Sequence, residues 1–335
     1  MAVRILNTAQ VTMLLPMEEC VDVMSRVLAA LARGDAIQPL RTILRLPHER
    51  GVFGVMPAQV DDPDAFGVKV ITVFPGNEGS RFDSHQGAVL LFEPEHGTLA
   101  AIMDASAMTA IRTAAVSAVA TRLLARDDAG DLAILGSGVQ ARTHLEAMRV
   151  VRKIRRVRVW SRHQTHQRAF AAWAGQRFGC EVETPASGRD AVAGADIICT
   201  VTSSRTPVLA GDWVAAGAHI NAVGASLRDT RELDTDAVVQ ARLYVDRRES
   251  ALNEAGDFLI PLAEGAITDA HILGEVGELL LGRAVGRQGP SDVTLFKSLG
   301  LAVEDVAAAH LVWDEAERRN VGTVVELGGL RESEP

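Results

Sequence analysis

Residues Asp131–Met148 read DLAILGSGVQARTHLEAM: an apolar strand, a tight glycine turn, then a helix. The turn and helix start hold Gly136, Gly138 and Ala141, the G-x-G-x-x-A form of the dinucleotide-binding fingerprint. Gly136 permits the tight turn, and Gly138 lets a pyrophosphate approach the backbone. Ala141 allows close packing of helix on strand, and the helix N-terminus supplies unpaired N–H donors. Alone, the pattern is weak and equally describes a structural glycine turn. Its place between a strand and a helix, with a second strand ending at a suitable distance, favours the dinucleotide reading.

Working outward, the alternation continues. VRVWS is the next strand, Gln164 to Phe178 a helix, EVET a short strand and Ser187–Ala193 a short helix. ADIICTVT, HINAVGA, RLYVD and DVTLFKSLG are further strands, and Ala302–Arg319 is a long helix. Strands and helices alternating at this length predict a doubly wound, Rossmann-type parallel sheet in an α/β protein. Upstream the texture differs. A helix starts at Pro16, with Glu18 and Glu19 at the positive end of its dipole, and stops at Gly34. The strand-like runs Arg41–Leu46, Gly51–Ala58, Phe66–Phe74, Gly87–Phe92 and Thr98–Asp104 follow, separated by short turns. They predict a mainly antiparallel meander, and a helix from Ala105 to about Ala125 leaves it. Glu332–Pro335 reads as a frayed tail.

A length of 335 residues fits two domains at roughly 150 residues each. With 47% hydrophobic and 23% charged residues the chain has ample material for a core, which excludes disorder over most of its length. The net charge of -9 argues against nucleic-acid binding. VRKIRRVRVWSR, Val151 to Arg162, is a local basic exception that reads as a solvated helix end and turn. Ala105 to Thr121 is the best candidate membrane span, but Arg112 interrupts it and it is rich in Ala, Ser and Thr. There is no signal-peptide layout, and Cys20, Cys180 and Cys199 are too scattered for a disulfide framework or a metal site, so a cytoplasmic setting is expected.

The end of the second strand bears on the cofactor. An acid there usually holds the ribose 2′-hydroxyl of NAD. Trp160, Ser161 and Arg162 stand there instead, and a guanidinium beside a hydroxyl suits a 2′-phosphate, so NADP(H) is preferred, with NAD(H) the alternative. Three cations also stand in apolar surroundings: Arg45 in ILRLP, Lys69 in FGVKVITVF, and Arg112 on a helix of small residues. None has an acid within three residues, which makes a ligand carboxylate a candidate counter-ion; edge residues or distant ion pairs are the alternative. His85 in RFDSHQG is a candidate substrate-loop residue. His163 and His166 lack an acid or cysteine partner, and no hydrolase, zincin or P-loop motif occurs.

GVMPA, FGVKVITVFPGN, DASAMTAIRTAAVSAVAT, GSGVQAR, NAVGAS and TLFKSLG, in this order and spacing, resemble the ornithine cyclodeaminase/μ-crystallin family over nearly the whole chain. The resemblance implies a substrate-binding and dimerisation domain from residues 1–120 plus 302–330, a Rossmann domain at 121–301, and a homodimer. It also implies that Arg45, Lys69 and Arg112 bind the substrate carboxylate. The cofactor set expected here is Gly136, Ser137, Gly138, Val139, Gln140, Ala141, Ser161, Arg162, Val201, Thr202 and Ser226.

Two departures bear on the chemistry. Family cyclodeaminases carry an acid where this chain has Ser226, and a glutamate where it has Met56. Asp229 matches the ketimine reductase branch, or else caps a helix. The leading expectation is therefore an NAD(P)H-dependent reductase of a cyclic imine carboxylate, with Lys69 and Asp229 as catalytic candidates. The alternatives are an ornithine cyclodeaminase or amino-acid dehydrogenase using NAD, and a non-catalytic NADPH- and ligand-binding protein. A small imino or amino acid is the expected partner, with no nucleic acid, membrane or metal.

Overall fold

Pro16 and Gly34 bound the first long helix as the sequence predicts: it runs Met17–Arg33, and Gly34 closes it with φ 92°. The computed structural model describes residues 2–77 and 79–329. The expected frayed tail lies outside them. The chain divides into two compact units, Met1–Arg112 with Leu301–Pro335, and Thr113–Gly300.

In the first unit the chain runs β1 (Ala2–Leu6), α1 (Thr8–Leu14), α2 (Met17–Arg33), β2 (Ala36–Ile37), β3 (Thr42–Arg45), β4 (Val52–Asp61), β5 (Asp64–Val73), β6 (His85–Phe92) and β7 (Leu99–Asp104). α3 (Ala105–Leu124) follows, and the division falls inside it, after Arg112, rather than at its end. The β4–β5–β6–β7 meander is antiparallel, as expected. The ends of this sheet come from segments with no strong local strand pattern. β1 lies parallel to β7, and the late strand β16 (Thr323–Glu326) pairs antiparallel with β1.

The long helix α11 (Ala302–Arg319) packs on β4, β5, β6 and α2. Alternation along β5 puts Ala65, Gly67 and Lys69 on its buried face. Gly67 keeps this surface low: a Cβ there would stand 2.5 Å from the Leu90 carbonyl and 3.4 Å from a Val306 methyl. The helix thus begins close against the strand that carries Lys69. Val70, Thr72, Ala88 and Leu90 line a shallow depression on β5 and β6.

In the second unit the order is β8 (Asp131–Leu135), α4 (Val139–Val151), β9 (Arg156–Trp160), α5 (Gln164–Phe178), β10 (Val182–Glu183), α6 (Gly188–Val192), β11 (Ile197–Thr200), β12 (His219–Ala222), α7 (Thr235–Val239), β13 (Arg242–Val245), α8 (Arg248–Glu254), α9 (Gly256–Ala263), β14 (Ile272–Glu275), α10 (Val276–Leu280) and β15 (Thr294–Lys297). The sheet order is β10-β9-β8-β11-β12-β15-β13-β14, parallel throughout. The expected doubly wound α/β sheet is present. Its order reverses between β8 and β11, where ligands bind such sheets.

The basic run is structural, and less solvated than expected. Arg158 is buried, 2.6 Å from Asp131; Arg156 pairs with Glu183 at 2.6 Å; Arg152 donates to the carbonyls of Thr121 and Arg126 at 3.0 and 3.1 Å. No helix among the described residues is long and apolar enough to cross a membrane.

Candidate active site

The first unit holds a buried cluster of opposite charges. Lys69 on β5 and Arg112 on α3 are 2% and 3% exposed. Lys69 Nζ lies 2.6 Å from Asp305 Oδ2. Arg112 reaches Glu304 through Nη1 at 2.6 Å and Asp305 through Nε at 2.9 Å. Both acids stand in the first turn of α11, where Glu304 also accepts the backbone N–H of Leu301 at 3.1 Å. For Lys69 and Arg112 the distant ion pair, the alternative to a ligand counter-ion, is present, with the partners on the last long helix. Glu304 and Asp305 do not stand out in the sequence, because two acids opening a helix look like ordinary complements to its dipole.

Burial, the Arg112 charge and Arg41 push Lys69 down to about 8, against the pull of Asp305. Burial and the nearby Lys69 lower His85, which begins β6. Burial raises the Cys20 thiol far above its usual range, so it stays protonated. Arg45 is not part of this buried group. β3 is a short strand that pairs with β4, and all four of its residues are exposed. Met56 is buried and sits opposite Lys69 across β4 and β5, so the strand offers an apolar thioether there.

The second unit holds the glycine turn. Gly136 adopts φ +124° and donates its N–H to Trp160 O at 2.8 Å. A Cβ on Gly136 would stand 2.7 Å from the Val201 carbonyl, so only glycine fits. Gly138 opens α4 without a side-chain cap, and a Cβ there would meet nothing within 4 Å. Val139 is exposed beside it, Ser137 and Gln140 are half-buried, and Ala141 is fully buried against the sheet. The Gln140 Oε1 atom is buried without a hydrogen-bond partner. Open space before an uncapped helix N-terminus, with small residues behind, fits a pyrophosphate.

Ser161 donates to the His163 carbonyl at 3.2 Å, and Arg162 is exposed just beyond β9. Val201 and Thr202 follow β11, and Thr202 gives its N–H and hydroxyl to Glu232 at 2.6 and 2.7 Å. Ser226 is half-buried in the turn after β12. Asp229 caps no helix: it is exposed, 2.5 Å from Arg205, and Asp234 caps α7 instead. His163 and His166 stack edge to face. No group of side chains among the described residues has the arrangement of a metal site.

The model of the ornithine cyclodeaminase/mu-crystallin family matches residues 2–320. The chain belongs to this family. Among its relatives is the ketimine reductase mu-crystallin of Mus musculus, 44% identical over 281 residues, covering 84% of this chain and 86% of the relative. Among solved structures, the fold matches Thermococcus litoralis Δ1-pyrroline-2-carboxylate reductase in complex with NADH and L-proline. The TM-score is 0.94 at 38% identity, over 96% of this chain and 99% of that one. An archaeal alanine dehydrogenase dimer with bound NAD matches with TM-score 0.92 at 30% identity, over 98% of this chain and 100% of that one. The Lys69–Arg112 group and the Gly136–Ala141 turn are each formed within a single unit.

Proposed function

We propose that this protein reduces a cyclic imine carboxylate, of the pyrroline-2-carboxylate or piperideine-2-carboxylate class. It is an NAD(P)H-dependent oxidoreductase acting on C=N and CH–NH bonds. The observation that carries the finer reading is the buried Lys69–Arg112 group beside Met56. It offers cations to a carboxylate and, at position 56 opposite Lys69, a thioether in place of an acid that could grip a second amine. The Lys69 ammonium has three donors, of which one faces Asp305. Exposed Arg45 adds positive charge to draw an anion in.

A nicotinamide, when bound, would supply the hydride for the C=N carbon. Lys69 and Arg112 fix the carboxylate and so orient that carbon. With its pKa lowered to about 8, Lys69 is protonated at neutral pH and gives a proton from Nζ to the imine nitrogen. Asp229, exposed and engaged with Arg205, is the weaker candidate for that step.

Gly136–Ala141, with Val201, Thr202 and Ser226, would hold the dinucleotide. Ser161 and exposed Arg162 support a preference for NADPH over NADH. The first unit would bind substrate and pair two copies through the apolar surface of β5 and β6.

The test is NADPH or NADH consumption with purified protein and either imine acid. Absence of turnover on both ring sizes, with folded protein and bound cofactor demonstrated, removes the reductase reading and favours a binding protein. Ammonia release from ornithine without added cofactor would instead mark a cyclodeaminase.

A further inference from the structure

Under the loops that follow β11 and β12 lies a buried acid that the reaction scheme above does not use. Glu232 is 0% exposed, and both its oxygens are engaged. Oε1 accepts the Thr202 N–H at 2.6 Å and the Thr202 hydroxyl at 2.7 Å. Oε2 accepts the Thr200 hydroxyl at 2.8 Å and the Gly224 N–H at 2.6 Å. One carboxylate therefore ties the end of β11 to the loop beyond β12.

The acid is itself anchored. Asp257 Oδ1 accepts the backbone N–H groups of Glu232 and Leu233 at 2.8 and 3.0 Å. Lys297 stands 2.9 Å from Asp257 and donates to the carbonyl of Ala222, the last residue of β12, at 3.3 Å. A buried carboxylate is costly unless its acceptor sites are filled, and here four donors fill them. That expense falls at the strand ends beside the switch point. It also reaches the glycine turn, since Thr202 adjoins Val201, whose carbonyl would stand 2.7 Å from a Cβ on Gly136.

We infer that Glu232 is a positioning residue for the dinucleotide, setting the strand-end loops that receive its second mononucleotide half. The inference rests on the dinucleotide reading above. The first half, with the pyrophosphate, depends on the Gly136–Ala141 turn and β9; the second depends on β11 and β12. Glu232→Gln should disturb only the second. Its amide nitrogen would face the N–H of either Thr202 or Gly224, and neither can accept a hydrogen bond.

Calorimetric titration of wild type and Glu232→Gln with NADH and with ADP tests this. The expected result is an NADH affinity weakened about tenfold or more, with ADP affinity within about twofold of wild type. Unchanged NADH affinity would overturn the inference. So would equal losses for both ligands, which would make Glu232 a general support of the fold. Wild type that binds neither ligand would overturn the dinucleotide reading itself. If Glu232→Gln does not fold, Thr202→Val removes one donor and keeps the backbone N–H. A selective NADH loss of roughly threefold or more is then expected, and no selective loss would overturn the inference.

Discussion

Lys69 and Asp305 meet at 2.6 Å with side chains 2% and 0% exposed, a strand and the last long helix joined by one buried ion pair. Removing one partner of such a pair leaves an uncompensated charge, whereas replacing both with apolar groups need not. Asp305→Ala should therefore lower the unfolding free energy by roughly 3–5 kcal/mol in urea denaturation. The double variant Lys69→Met/Asp305→Leu should regain most of that stability while remaining inactive. Full activity in the double variant would show that the pair serves only the fold.

The pH dependence follows from Lys69, lowered to about 8 from 10.5. Below about 8 the ammonium is present as clamp and acid, so kcat/KM for imine reduction should fall as pH rises through that value. Stability moves the other way. Between about 8 and 10.5 the unfolded chain binds more protons at this residue than the folded one, so its contribution to stability rises with pH. Lys69→Arg should remove the descending limb. A limb unchanged in that variant would assign it to another group.

Arg112 bridges two acids through its Nε and Nη1 atoms, a fork that lysine reproduces poorly. Arg112→Lys should lower kcat/KM by tenfold or more, on the order of one charge-assisted hydrogen bond, while NADH affinity stays near normal. Full efficiency in this variant would place the carboxylate site elsewhere.

The two glycines of the turn should respond differently. Gly138→Val adds bulk to open space, so the melting temperature should hold while dinucleotide binding disappears. Gly136→Val forces a side chain onto φ +124° and the Val201 carbonyl, so stability and binding should fall together. Thermal unfolding paired with NADH titration separates the cases, and NADH binding by Gly138→Val at wild-type strength would contradict the pyrophosphate assignment.

Arg162 stands exposed beyond β9. Arg162→Ala should weaken NADPH at least about tenfold more than NADH if it meets a 2′-phosphate. Equal effects on both cofactors would return it to the surface.

What could be read from the sequence follows a physical pattern. The β8–turn–α4 unit and the meander announce themselves through local periodicity and glycine chemistry, so Gly136, Gly138 and the five meander strands appear where expected. Lys69 and Arg112 stood out because a lone charge in an apolar run is costly. Their partners did not, because pairing with Glu304 and Asp305 depends on a return of the chain that no local pattern encodes. Glu232 was hidden similarly: in RELD it looks like one more surface acid, and only the four donors around it reveal its burial. Arg45 has apolar neighbours in sequence yet lies on an exposed strand, because burial depends on what covers β3 and not on its own residues.

The discontinuous first unit imposes an order on biosynthesis. On the ribosome, β5 and α3 emerge long before Leu301, so Lys69 and Arg112 exist at first without the two acids that neutralise them. The second unit, contiguous from Thr113 to Gly300, is complete in the meantime. The nascent chain therefore completes the unit that holds the glycine turn first, and the buried charge cluster of the other unit forms only when α11 leaves the exit tunnel.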